Sequence, residues 1–302
     1  MKIKNELIRI APLFAALCAL LIAVPVRIYQ CLKIIDAKTG FYNEIDASVY
    51  VLYIVLAIGA LAGFIIPFIR HKSLKPVSLC GKSLGFTIVS LVMALLLIID
   101  SASQLMEYFD IFSEAASVSA FNVKEYVSAQ GGTLLLLQAV SGAFAAIYFF
   151  VTGVTIGIGN ADSSKYKILA LVPTLWCIFR LLYRFKRTIS FVNVSDLLLE
   201  LFFIVFSMMF FFALAQVNSR VDINDKGAEM LSSVYWKVFG YGIPASLFAL
   251  ICFLPRFILL ITGNSGNINV HYPVNFSDFG FALFTIYTCI SAIRAEGNSS
   301  VE

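Results

Sequence analysis

Trp176, Arg180, Arg184 and Arg187 fall at i, i+4, i+8 and i+11, one face of a helix, and Arg180 closes a charge-free apolar run. Asp196 and Glu200 follow at i, i+4, with Ser207 on the same face two turns on. The connection between the two segments is short, which predicts antiparallel neighbours with Glu200 in reach of Arg180 or Arg184. A guanidinium is a planar fork that binds a carboxylate or phosphate through two parallel hydrogen bonds. Surplus arginine on this face is therefore the chemistry of a site for a small anion, with Trp176 as a wall stacked on Arg180. The competing reading is structural: Arg180 pairs with Glu200 to lock two helices, or snorkels to an interface. Asp196, Arg187 and Arg256 are secondary candidates for the same ion pairing.

The elements that must position these groups are apolar helices. Eight stretches between charges contain no Asp, Glu, Lys or Arg: residues 10–26, 47–69, 83–99, 126–161, 168–179, 201–219, 238–255 and 279–293. About 20 mostly apolar residues span a hydrocarbon core as a helix, and inside lipid the backbone must pair within its own segment. The 60% hydrophobic fraction and mean hydropathy of +0.89 exceed what a soluble domain uses, and charged residues at 13% fall below it. The fold class expected is all-α, a polytopic transmembrane bundle forming one integral membrane domain over residues 1–302. Its spans are placed at about 10–28, 47–69, 83–101, 132–157, 168–187, 197–219, 236–261 and 276–293. The alternative has seven spans, with 168–179 dipping in and returning.

Orientation is read from basic residues. Arg70, His71, Lys72, Lys75 and Lys82 share one loop that has no acid, the pattern of a cytoplasmic loop. That puts the N-terminus in the cytoplasm, and eight spans return the C-terminus there. Arg184, Lys186 and Arg187 then face outside, against the rule, unless the basic end of 168–187 snorkels. Residues 101–131 form an outer loop in which Leu105, Phe109 and Phe112 make an apolar row and Glu107, Asp110 and Glu114 an acidic one. Two such rows predict an amphipathic helix that continues span three along the outer interface, either a lid over a vestibule or an interfacial helix with its apolar row in the lipid boundary. Gly59 with Gly63, and Gly142 with Ala146, are small-xxx-small pairs that let helix backbones approach.

Other chemistries lack their residues. The two histidines, His71 and His271, fall in loops expected on opposite faces, so no His-based metal site or triad is expected and no metal is assigned. HExxH and GxSxG motifs are absent, and no lysine lies inside the charge-free stretches of the spans to form a Schiff base. The six cysteines show no metal spacing and read as small buried residues. Basic residues do not interleave with aromatics on a soluble face, so nucleic acid is not a partner. No enzyme activity, catalytic residue or cofactor is expected.

The stretch Pro173-Thr-Leu-Trp-Cys-Ile-Phe-Arg180 through Val194-Ser-Asp-Leu-Leu-Leu-Glu200 resembles a segment of uncharacterised bacterial multi-pass membrane proteins, a Trp-x3-Arg helix followed by an acidic start to the next. The resemblance implies a bacterial cytoplasmic membrane and no named activity. Two functions are carried forward. One is a permease-like carrier of a small anionic solute, bound by Trp176, Arg180, Arg184 and Glu200. The other is a non-transporting membrane subunit or sensor in which the arginine–carboxylate pair is structural and the partners are lipids or another membrane subunit.

Overall fold

The computed structural model describes residues 2–70, 83–117, 122–159, 169–187, 194–219, 226–269 and 272–298. The described residues form nine α-helices and no β-sheet: α1 (Lys2–Lys33), α2 (Ala47–Ile69), α3 (Leu84–Ser117), α4 (Val123–Ala129), α5 (Gly132–Ile158), α6 (Val172–Arg187), α7 (Val194–Ser219), α8 (Lys226–Ile261) and α9 (Phe276–Asn298). Seven of them are long and apolar enough to cross a membrane, the exceptions being α4 and α6. The chain is an integral membrane helical protein. Large apolar side chains point outward along these helices, among them Phe14, Leu21, Ile54, Ile58, Phe144 and Phe150. That outer surface suits lipid, where no hydrophobic force drives helices together and packing must hold the bundle.

Most of helix α8 is buried among its neighbours, and the core gathers on it: Tyr235, Val238, Ala245, Leu247 and Ala249 are fully enclosed. Helix α3 packs along α5, α7 along α8, and α1 along α2. Small residues set these approaches. A Cβ added at Gly59 meets the Ala19 Cβ of α1 at 2.7 Å, and one at Gly63 meets Ile243 of α8 at 2.9 Å. A Cβ at Gly142 meets the Ser101 hydroxyl of α3 at 2.6 Å and the Trp176 ring of α6 at 3.3 Å. Side by side, Phe149, Phe210, Phe211, Phe281 and Phe284 fill the space between α5, α7 and α9 with edge-on ring contacts.

Helix α3 continues unbroken through 101–117 to Ser117, and its 34 residues rise about 51 Å, well past a bilayer core. Phe109 and Phe112 stay exposed on this extension, their rings in contact with Tyr108 of the same helix. Residues 169–187 do not turn back, since one helix runs from Val172 to Arg187 after a 3₁₀ turn at Leu169–Leu171. That helix is antiparallel to α5 and α7. Tyr183 touches the start of α5 at Gly131, while Leu171 and Thr174 share a cavity with Gln216 near the end of α7. Together the turn and the helix rise roughly 30 Å.

Candidate functional site

Helical alternation brings several helix ends to one end of the bundle: the finishes of α1, α6 and α8 and the starts of α7 and α9. Each contributes charge there. Eight charged side chains are buried among the described residues, four arginines (Arg27, Arg180, Arg184, Arg256) and four carboxylates (Asp100, Asp196, Glu200, Asp278). A charged side chain in the membrane interior costs several kcal/mol unless partnered, and these are partnered.

Arg180 is the centre of one half. Its Nε and Nη2 donate to Glu200 Oε1 at 3.1 and 2.8 Å. Its Nη1 donates to Asp278 Oδ1 at 2.6 Å and its Nη2 to Asp278 Oδ2 at 3.2 Å. The guanidinium carbon lies 5.6 Å from the Trp176 ring centre and 5.2 Å from that of Phe203, so aromatic faces fill what the carboxylates leave. Arg184, one turn on, donates from Nε to the same Glu200 Oε1 at 2.9 Å and lies 4.8 Å from the Tyr272 ring centre. Glu200 Oε1 thus accepts three charged hydrogen bonds, while the buried Oε2 has no hydrogen-bond partner among the described residues.

Asp196 organises the other half. Its Oδ1 accepts from Arg27 Nη2 at 2.7 Å and from Arg256 Nη2 at 2.9 Å, and its Oδ2 accepts from Asn269 Nδ2 at 3.2 Å. Arg27 also donates from Nη1 to Gln30 Oε1 at 3.1 Å and to the Tyr42 hydroxyl at 3.3 Å. Tyr272 joins the halves, for its ring contacts both Arg184 and Arg256. Asp100 of α3 accepts from the backbone N–H groups of Phe276 and Ser277 at 3.2 and 2.7 Å. A carboxylate from one helix thereby satisfies the open N-terminus of another and complements its dipole.

Two connections roof this end. Residues 34–46 turn through an isolated bridge between Ile35 and Tyr42, with Gly40 at φ 70, and Ser195 donates to the Gly40 carbonyl at 3.1 Å. The Thr39 hydroxyl and the Lys38 amide donate to Asp36 and hold its carboxyl below the usual range. The connection after α8 supplies Asn269 and Tyr272.

Trp176, Arg180, Arg184 and Glu200 are therefore brought together. Asp196 and Arg256 belong to the neighbouring half, bonded to each other rather than to Arg180. The Arg187 side chain lies outside the described residues. Arg184, which the positive-inside rule left stranded, is spent on Glu200. The surplus of positive charge expected on this face is absent from the buried set, where arginines and carboxylates are equal in number. Sequence reasoning missed Arg27, Asp100, Asn269, Tyr272 and Asp278. Their signal was the alternation of spans, which assigns all of these helix ends to one side.

The chain matches no protein-family model, no curated protein and no solved structure. What the site does must therefore be argued from its chemistry. Among the described residues no group of His, Cys, Asp and Glu is arranged to hold a metal ion. The arrangement cross-links α1, α6, α7, α8 and α9 through charge-assisted bonds, each carboxylate reaching across at least one helix interface.

Proposed function

We propose that the chain is a non-transporting membrane subunit or sensor of a bacterial cytoplasmic membrane, its arginine–carboxylate network setting the register of five helices. The supporting observation is that the buried arginines are already committed: Arg27, Arg180, Arg184 and Arg256 are each ion-paired to Asp196, Glu200 or Asp278, and Arg180 places donors from all three of its nitrogens on Glu200 and Asp278. An anionic solute at Arg180 must displace a carboxylate that has nowhere else to go. Lipids and a second membrane subunit are the partners of this reading. With the N-terminus cytoplasmic, as the basic 70–82 loop suggests, the network lies at the outer end and α6 completes an eighth crossing.

The permease-like alternative draws on one feature, Glu200 Oε2, buried without a partner at the centre of the arginines. A carrier in which Glu200 swings off Arg184 exposes a guanidinium to solute. The two readings separate in a thermal-stability titration of the purified protein with sulfate, phosphate and acetate, each against chloride at equal ionic strength. The structural reading predicts no anion-specific stabilisation. Saturable stabilisation by one of these anions, abolished in Arg184→Gln, overturns it in favour of the carrier.

A further inference from the structure

At the other end of the bundle, α6, α7 and α8 enclose a cavity of about 780 Å³. Glu200 and Gln216 are separated along α7 by roughly 24 Å, so this cavity and the charged network are distinct. Its walls are apolar: Leu171, Val172, Leu175, Ile178, Met208 and Phe212 line it. Leu175, Met209 and Phe212 are also 45%, 40% and 51% exposed, which opens the cavity sideways between α6 and α7 onto the lipid-facing surface. Four polar side chains break this pattern, Gln216 and Tyr241 among them. Lys237 of α8 lines the cavity half-buried, with no hydrogen bond or ion pair to any described residue. Thr174 also lines it, and its hydroxyl oxygen is buried without a hydrogen-bond partner.

An apolar slot that faces lipid and holds an unpaired ammonium fits a molecule with a long hydrocarbon tail and an anionic head. The volume is that of a small-molecule site, and methionines at 208 and 209 let the wall adapt to a flexible chain. Basic pockets between membrane helices recognise anionic headgroups in this way. We propose that the cavity is a binding site for an anionic phospholipid, one acyl chain lying between α6 and α7 and the phosphate held by Lys237 with the Thr174 hydroxyl beside it. The site uses no residue of the charged network and goes beyond the function proposed above.

The test uses the full chain, delipidated and returned to mixed micelles containing equal amounts of phosphatidylglycerol and phosphatidylcholine, with retained lipid counted by native mass spectrometry. Wild-type protein is expected to retain phosphatidylglycerol in preference by about fivefold, the factor for one basic side chain at an anionic surface. Lys237→Gln abolishes the preference but not retention, whereas Ala213→Phe, which fills the slot, abolishes retention of both; size-exclusion profiles confirm that each variant is folded. Equal retention of the two lipids by wild type, or a preference that survives both variants, overturns the proposal. Palmitate bound in place of either phospholipid overturns the choice of occupant, since its carboxylate is then the head that Lys237 selects.

Discussion

Replacing Arg180 by methionine keeps much of the side chain's length and removes its charge. Four hydrogen bonds disappear, and Glu200 and Asp278, 0% and 1% exposed, lose them while Glu200 keeps the bond from Arg184 Nε. Removing one partner of a buried ion pair costs about 3–5 kcal/mol, because the other charge is stranded. At about 1.4 kcal/mol per factor of ten, the folding equilibrium shifts by two to nearly four powers of ten. The double variant Arg180→Met, Asp278→Asn leaves Glu200 its bond from Arg184, strands neither carboxylate, and is expected to recover most of the loss. Unfolding in mixed micelles titrated with sodium dodecyl sulfate, followed by the fluorescence of Trp176 and Trp236, measures all of these. A loss below about 1 kcal/mol in the single variant, or a double variant no more stable than the single, refutes the pairing argument.

Three further outcomes follow from the same structure. Asp196→Asn leaves both Arg27 and Arg256 without a carboxylate, so in the same titration it destabilises more than Arg27→Met; the reverse order contradicts a shared acceptor. Gly142→Val drives a side chain into Ser101 and Trp176 and costs about 1–3 kcal/mol, whereas Gly266→Ala, which meets nothing within 4 Å, stays within roughly 0.5 kcal/mol. Asp36 has its folded pKa below its unfolded one, so the order it gives the 36–41 turn is complete above the unfolded value and is lost as pH falls through the folded value. Hydrogen exchange of the amides of residues 38–41, corrected for intrinsic rate, is therefore expected to quicken at acid pH in the wild type and to be quick at neutral pH in Asp36→Asn.

The helices were legible because apolar composition over 20 residues has one solution in lipid. The glycine pairs also read through: Gly59 and Gly142 sit where backbones meet, as their spacing implied. Length was less legible. Helix α3 passes its charged boundary at Asp100 without a break because that carboxylate is consumed internally, capping α9, instead of marking a water interface. The pairing of Arg180 with Glu200 and its stacking on Trp176 could be read from spacing and a short connection. Asp278 could not, for it lies 98 residues from Arg180 and reaches it only through the packing of α9. Arg27 was hidden in a different way. It reads as the charge that ends span one, yet α1 runs on to Lys33 and buries it against Asp196, 169 residues away. Sequence spacing thus reported the contacts within one helical hairpin and was silent on those made by bundle topology.

The account rests on ionised groups turned inward against one another across helix interfaces. A map of the protein in a lipid nanodisc, at a resolution that shows side chains, tests this most directly. The Arg180 guanidinium is expected between Glu200 and Asp278, within about 3.2 Å of a carboxylate oxygen on each. Density that instead directs this guanidinium toward lipid or solvent, with neither carboxylate in contact, contradicts the account.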